Sequence, residues 1–303
     1  MGKNSPNSVV HLLDLGYPSQ PTIMEFPSTV PSSLRRLYKG VYFFRCCTFR
    51  GLLMVGSDSA DSYFSLCNSC TRQSWKIPNP PLPNSEYLKR YYAAALGYDF
   101  FVKTHKVVII RESYCAVYNV KTNSWSNFEV KNDDDLSLAC WRYSLTLGNG
   151  APHWIKVDFR RCRYQITYFD FSKNELMRIP KPNDADDYKS QFLHLFEMEG
   201  RLCVGYFPSH NDKFKVEIWV MMEHGVGESW TRLALSCDEI PPINYHHPIS
   251  FAKDGMVSLV AEEENSNSVA IYIGKKRRIE IKTSTNFLAT MLASPYVESL
   301  VSI

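Results

Sequence analysis

Along most of the chain, apolar and polar residues alternate with a period of two, which is the period of a half-buried strand and not of a helix. The alternation comes in pairs: one strand, a short polar turn, then a second strand opened by an aromatic or large apolar residue. The clearest copy is Ala116-Val117-Tyr118-Asn119-Val120, the turn Lys121-Thr122-Asn123-Ser124, then Trp125. Other copies run from Phe64-Ser65-Leu66 to Trp75-Lys76-Ile77-Pro78, and from Thr167-Tyr168-Phe169-Asp170-Phe171 to Leu176-Met177-Arg178-Ile179-Pro180. Two more join Glu217-Ile218-Trp219-Val220-Met221 to Trp230-Thr231-Arg232-Leu233, and Ala270-Ile271-Tyr272-Ile273 to Ile279-Glu280-Ile281. A weaker copy, Leu12-Leu13-Asp14-Leu15 followed by Ile23-Met24-Glu25-Phe26-Pro27, comes first.

The copies are evenly spaced. Ile23, Trp75, Trp125, Leu176, Trp230 and Ile279 follow one another at 52, 50, 51, 54 and 49 residues. A second register supports the first: Gly51, Gly150, Gly200 and Gly255 fall at matching points, in hairpin turns where a positive φ favours Gly, Asn or Asp. A period near 50 suits a four-stranded blade of kelch-like length. The expected fold is therefore all-β, a β-propeller of about six four-stranded blades, with residues 1–303 forming a single domain. The first repeat supplies only about two strands. Tyr296 to Val301 reads as a further strand, expected to pair with the N-terminal blade and close the ring, removing exposed sheet edges. A pair of β-sandwiches is the rival, but six repeats do not divide naturally into two of them.

Composition narrows the function classes. Hydrophobic residues make up 45% and charged residues 21%, a globular balance. The net charge of +3, from 34 basic and 31 acidic residues, argues against an electrostatic nucleic-acid binder. No apolar stretch approaches the length needed to cross a bilayer, and Met1 to Ser8 are polar, so no membrane partner is expected and the protein reads as intracellular, in cytoplasm or nucleus. Nine scattered cysteines fit buried thiols in a reducing compartment.

Several local patterns invite chemistry, and each has a plainer reading. Cys67-Asn68-Ser69-Cys70 has the spacing of a zinc or redox pair but lacks two further ligands, so it reads as a structural turn. His246-His247 are neighbours that a strand would point to opposite faces, so an inter-blade loop pair is expected in place of a metal site. Asp133-Asp134-Asp135 lacks the alternating ligands and glycine of a calcium loop. Lys275-Lys276-Arg277-Arg278 resembles a nuclear localisation patch at a hairpin turn. Trp75, Trp125 and Trp230 recur at one repeat position and read as core packing between blades. Gly225-Val226-Gly227 lacks the third glycine of a dinucleotide loop. No nucleophile, base and orienter assemble, so neither a catalytic residue, a metal nor a cofactor is expected.

The run Leu96-Gly97-Tyr98-Asp99, then Lys106-Val107-Val108, then Val117 to Trp125, resembles the plant F-box-associated domain. So do Gly51-Leu52-Leu53, Gly150-Ala151-Pro152-His153-Trp154, Ile218-Trp219-Val220-Met221 with Glu228-Ser229-Trp230, and the ending Tyr296-Val297-Glu298-Ser299-Leu300. The resemblance covers nearly the whole chain in order. It implies a protein-interaction module, the substrate-recruiting part of an SCF-type ubiquitin ligase receptor, in which a preceding F-box binds a Skp adaptor and thence a cullin. Residues 1–40 hold no Trp and read as a strand pair and a loop, so no F-box is expected there, and adaptor and cullin contacts depend on one being present. The alternatives are a propeller hydrolase with a site in the channel, and a truncated paralogue without ligase activity.

A recruiter's contacts should lie on loops held by rigid blades. Four long loops fall just after the second strand of the unit: Pro78 to Tyr91, Lys131 to Trp141, Lys181 to Gln191 and Ser236 to Pro248. They carry Tyr87, Asp134, Asp135, Asp186, Asp187, Tyr188, Tyr245 and His246, an acidic and aromatic set expected to bind a protein partner, in particular a basic one.

Overall fold

A computed structural model describes residues 9–12, 22–25, 44–57, 64–68, 70–71, 73–81, 93–111, 114–130, 140–158, 163–182, 192–207, 215–236, 245–251, 257–262, 268–273 and 277–282. They form five four-stranded antiparallel sheets and one two-stranded sheet. The short sheet pairs β1 (Val9–Leu12) with β2 (Thr22–Glu25). The first full sheet holds β3 (Phe44–Phe49), β4 (Leu52–Ser57), β5 (Phe64–Asn68) and β6 (Gln73–Ile77). The second holds β7 (Ala93–Asp99), β8 (Thr104–Arg111), β9 (Tyr114–Asn119) and β10 (Ser124–Glu129). The third holds β11 (Cys140–Thr146), β12 (Pro152–Asp158), β13 (Arg163–Asp170) and β14 (Glu175–Ile179). The fourth is β15 (Phe192–Met198), β16 (Arg201–Phe207), β17 (Lys215–Met221) and β18 (Trp230–Ser236). The fifth is β19 (Tyr245–Phe251), β20 (Val257–Glu262), β21 (Ser268–Ile273) and β22 (Arg277–Lys282).

Every sheet pairs its strands in chain order, so each is a meander of tight antiparallel connections. The first strands touch one another from sheet to sheet: β3 with β7, β7 with β11, β11 with β15 and β15 with β19, and β3 also reaches β11. They are the inner strands of a β-propeller. The six spaced markers Ile23, Trp75, Trp125, Leu176, Trp230 and Ile279 all fall in the last strand of their sheet. The expected two-strand first repeat is β1 with β2. Tyr296 to Val301, expected to close the ring, lies outside the described residues.

The core sits between sheets. Middle strands are covered on both faces, which is why Val107, Val108, Ile109 and Ile110 of β8 form a continuous β-branched run and not an alternating one. The inner strand β7 opens with Ala93, Ala94 and Ala95, all buried, small enough for neighbouring inner strands to crowd the axis. One apolar cluster joins the first three sheets and includes Leu66, Tyr118, Trp154 and Phe169. A second joins the third and fourth and includes Ile155, Ile166, Val204 and Trp219. Burying one such side chain contributes roughly 1.5–3 kcal/mol.

Of the recurring tryptophans, Trp230 is buried in the core between blades, while Trp75 and Trp125 sit between blades at the rim, which corrects the expectation of core packing for those two. Trp75 is 43% exposed, and Trp125 is half-buried. An outer strand has a neighbour on one side only, so its indole reaches sideways instead of inward. Trp125 Nε1–H donates to the Pro78 carbonyl at 3.1 Å, and Trp230 Nε1–H to the Pro180 carbonyl at 2.7 Å. Each proline follows the last strand of the preceding sheet, so the same bond ties two pairs of blades. Trp75 reaches the other way, donating to Tyr118 Oη at 3.1 Å, and that hydroxyl passes its own proton to Asn123 Oδ1 at 2.7 Å. Among the described residues the helical turn is a single 3-10 segment, Gly227–Ser229, and no helix is long and apolar enough to cross a membrane.

Candidate functional site

The outer strand of each sheet ends, and the inner strand of the next begins, at one and the same end of the sheets. Tyr87, Asp134, Asp135, Asp186, Asp187 and Tyr188 lie outside the described residues. Tyr245 and His246 are placed differently from expectation. They are the first residues of β19, opposite Glu262 and Ala261 of β20, so the fourth loop ends before Tyr245 and His246-His247 is a strand pair, not a loop pair. Trp141 likewise belongs to β11, not to the loop before it. The loop estimate overran because Pro248 marks an irregularity between Pro248 and Ser250 within β19, not the start of the strand. The basic run divides in the same way: Arg277 and Arg278 pair with Ile273 and Tyr272 inside β22, while Lys275 and Lys276 fall outside the described residues.

At that end the third and fourth sheets meet through Tyr164 and Tyr206, whose hydroxyls are 2.5 Å apart. Lys181 Nζ lies 5.7 Å from the Tyr164 ring, a cation over a π face. Burial, and then Tyr164, push the Tyr206 hydroxyl far above its ordinary pKa, so it stays a neutral donor.

The opposite end carries the short turns, and four of them share one build. Asn68, Asn119, Asp170 and Asp99 each end a strand, and each Oδ1 accepts the backbone N–H groups two and three residues on. The pairs are Cys70 (2.9 Å) and Thr71 (3.3 Å), Lys121 (3.0 Å) and Thr122 (3.2 Å), Ser172 (2.9 Å) and Lys173 (3.3 Å), and Phe101 (2.9 Å) and Val102 (3.2 Å). Such a side chain mimics a backbone turn. The CxxC pair is thereby a turn: Cys67 is buried, with its thiol pushed up to about 11 by burial, while Cys70 is exposed. Among the described residues no three His, Cys, Asp or Glu side chains gather as metal ligands would.

The Asp99 turn differs from its three counterparts in what it shows to solvent. It exposes Phe100 (44%), Phe101 (92%) and Val102 (41%) in succession. Phe100 belongs to a packed group. The Arg50 guanidinium stands 4.5 Å from the Phe100 ring centroid, 4.8 Å from Tyr98 and 5.9 Å from Phe49. Tyr98 meets Phe100 edge-on at 4.9 Å and His105 edge-on at 5.0 Å. Burial, with the Arg50 charge adding to it against a hydrogen bond to the Phe49 backbone, lowers His105 to about 4, so a neutral imidazole underlies the cation. Arg50 itself is held at φ 46 and Gly51 at φ 77, the two positive values of a tight hairpin turn. Asp99 is committed inward. Burial raises its pKa, but the Lys106 ammonium at 2.7 Å and the amides of Val102 and Phe101 outweigh it and hold the carboxyl below its usual range. Sequence reasoning passed over Phe100, Phe101 and Val102; the signal was there, three consecutive large apolar residues where the equivalent turns carry at most one.

A second group at this end is closed. His153, fully buried in β12, bonds through Nδ1 to the Ala151 carbonyl at 2.8 Å, and its Nε2 lies 2.8 Å from Nε2 of His224 in the turn after β17. A carbonyl only accepts, so Nδ1 of His153 carries the proton and Nε2 accepts from His224. Tyr168 stacks on His153 at 5.3 Å. Burial, then His224, lower His153 to about 3, and burial lowers His224. This neutral pair is a joint between the third and fourth sheets.

Comparison with known proteins decides the family. The model of the F-box associated β-propeller domain matches residues 18–303. The chain belongs to that family. Among relatives of this F-box associated propeller, F-box protein CPR1 from Arabidopsis thaliana is 23% identical over 66% of this chain and 55% of its own length. F-box/WD-40 repeat-containing protein 1 from the same plant is 26% identical over 55% of this chain and 42% of its own. The chain thus spans about half the length of these relatives. Among solved structures, virginiamycin B lyase from Staphylococcus aureus covers 82% of this chain and 70% of its own at 13% identity, with a TM-score of 0.42. A likeness that loose carries no argument about activity.

Proposed function

We propose that this propeller is a protein-interaction module that recruits substrates to an SCF-type ubiquitin ligase. The observation that carries the reading is the family match over residues 18–303, laid on an all-β scaffold of antiparallel sheets. A recruiter needs no catalytic residue. It raises the local concentration of a target near the transferring enzyme, an effect of tethering and not of bond chemistry. Skp adaptor and cullin are partners wherever an F-box accompanies the propeller, and the compartment is intracellular. The acidic and aromatic loop set, with Asp134, Asp135, Asp186 and Asp187 at its centre, is the surface for a basic protein target.

The test joins the full chain to an F-box that binds a Skp adaptor, then follows the proteins captured and ubiquitinated. Reversing the four aspartates to lysine should remove the basic targets from both sets. An unchanged captured set would discard the loop surface. Capture without any ubiquitination, by a fusion shown to bind adaptor and cullin, would discard the recruiting role.

A further inference from the structure

We infer that the turn end of the first and second blades is a second docking surface, for an acidic segment of a partner protein carrying an aromatic or branched apolar side chain. The inference stands apart from the loop surface, whose flanking strands meet at the other end of the sheets.

The repeat supplies its own control. The turns closed by Asn119, Asp170 and Asp99 have one length and one geometry, down to a left-handed residue before the next strand: Asn123 at φ 50, Asn174 at φ 54 and Lys103 at φ 54. An apolar residue directly after the capping side chain is explained by packing, since Val120 and Phe171 both pack against the core. The next two positions are exposed, Thr71 alone being only partly so. They hold Lys121 and Thr122 in one turn, Ser172 and Lys173 in another, and Cys70 and Thr71 after Asn68. In the Asp99 turn they hold Phe101 and Val102. Folding gains nothing from a phenylalanine that is 92% exposed. Side chains that break a local rule with no structural return mark sites of function.

The chemistry of the patch selects the occupant. Arg50 and Lys103 are exposed, and among the described residues no carboxylate pairs with either. The one acid of the turn, Asp99, is already occupied by Lys106 and two amides. Around Phe101 the uncommitted charge is therefore positive. Arg50 is also pre-set, held among three rings, so little side-chain freedom remains to be lost on binding. Aromatic residues with a fixed arginine make the usual anchors of protein interfaces. A carboxylate beside an apolar side chain matches both elements at once.

The experiment pans a random dodecamer peptide library against the full chain and measures recovered peptides by fluorescence polarisation. Recovered sequences should pair Asp or Glu with Phe, Trp, Leu or Ile. Their affinity should fall about tenfold with Phe101→Ala, the loss of one anchor. It should also fall with Arg50→Asn, a residue that tolerates the same left-handed turn, and recover in Phe101→Leu. Thermal melting of each variant should match the parent. Recovery only of peptides rich in Lys and Arg, or of peptides indifferent to Phe101→Ala and Arg50→Asn, would overturn the inference, and the second outcome would direct attention to the loop end.

Discussion

The Asp99 turn and the Asp170 turn are the same device used for different ends. Both are closed by an aspartate that accepts two backbone amides, and both follow it with a phenylalanine. Phe171 turns inward, its ring against the Cα of Gly97 in the neighbouring sheet and 5.3 Å from Phe169. Phe100 leans on Arg50 and Tyr98 at the surface, and Phe101 after it stands in water. The two turns even share a residue: Lys106 pairs with Asp99 and sits 5.2 Å from the Phe171 ring. One turn thus closes the seam between the second and third sheets, and the other stands over the junction of the first and second. Identical backbone chemistry does not assign a role; the side chains one and two positions further on do.

The comparison can be broken hardest at the seat beneath both turns. Gly150 has φ +82, its carbonyl accepts the Tyr98 N–H at 2.9 Å, and a Cβ there would collide with the Tyr98 carbonyl. Gly150→Ala is expected to cost about 4 kcal/mol in chemical denaturation, from strain plus collision. Gly200→Ala, at φ +78 but with nothing within 4 Å, should cost about 1 kcal/mol. Equal losses would mean the seam carries no special tightness.

Next in size is the capping pair. The Asp99 and Lys106 side chains are nearly buried, so Asp99→Ala leaves an uncompensated ammonium and is expected to cost about 3 kcal/mol. Asp170→Ala, whose Lys173 partner is mostly exposed at 3.8 Å, should cost about 1 kcal/mol through its turn bonds. Titration sharpens the same contrast. His105 under the Asp99 turn and His153 in the neighbouring joint titrate near 4 and 3 when folded, against about 6.5 unfolded. Between those values the unfolded chain binds protons that the folded chain refuses. Stability is therefore full above about pH 6.5 and falls toward pH 4, by about 1.4 kcal/mol per pH unit for each histidine. Denaturation midpoints at pH 7.5 and 5 would measure it, and His105→Gln should roughly halve the slope.

The smallest expected effect separates the two roles most cleanly. Phe171→Ala should cost about 2 kcal/mol, as a half-buried ring leaves a gap beside Gly97. Phe101→Ala should change the melting free energy by less than about 0.5 kcal/mol. A comparable loss from both would mean that Phe101 is structural after all.

Much of the fold is legible along the chain because a blade is a local object. Each strand pairs with its sequence neighbour, so the alternation, the turn residues and the period of the outer-strand Trp, Leu and Ile markers all report contacts a few residues apart. Which side of each blade is buried was less legible. Trp75 looks like a core residue because it is large and periodic, yet an outer strand leaves it 43% exposed. The loop boundaries at Tyr245 and Trp141 slipped for the same reason that strand ends usually do: propensity fades there, and pairing with β20 and β12 decides.

The sequence by itself determined the all-β class, the repeat of about 50 residues, the positions of the Asn, Asp and Gly turns and the family resemblance. These depend on local periodicity and on backbone preferences that each residue carries with it. Only the tertiary structure decided that Arg50, Tyr98 and Phe100 form one group, that His153 meets His224 across 71 positions, and that Phe101 faces water while Phe171 faces Gly97. Those facts depend on how one sheet lies against the next. That arrangement is set by the summed packing of whole faces and leaves no periodic trace in either partner alone.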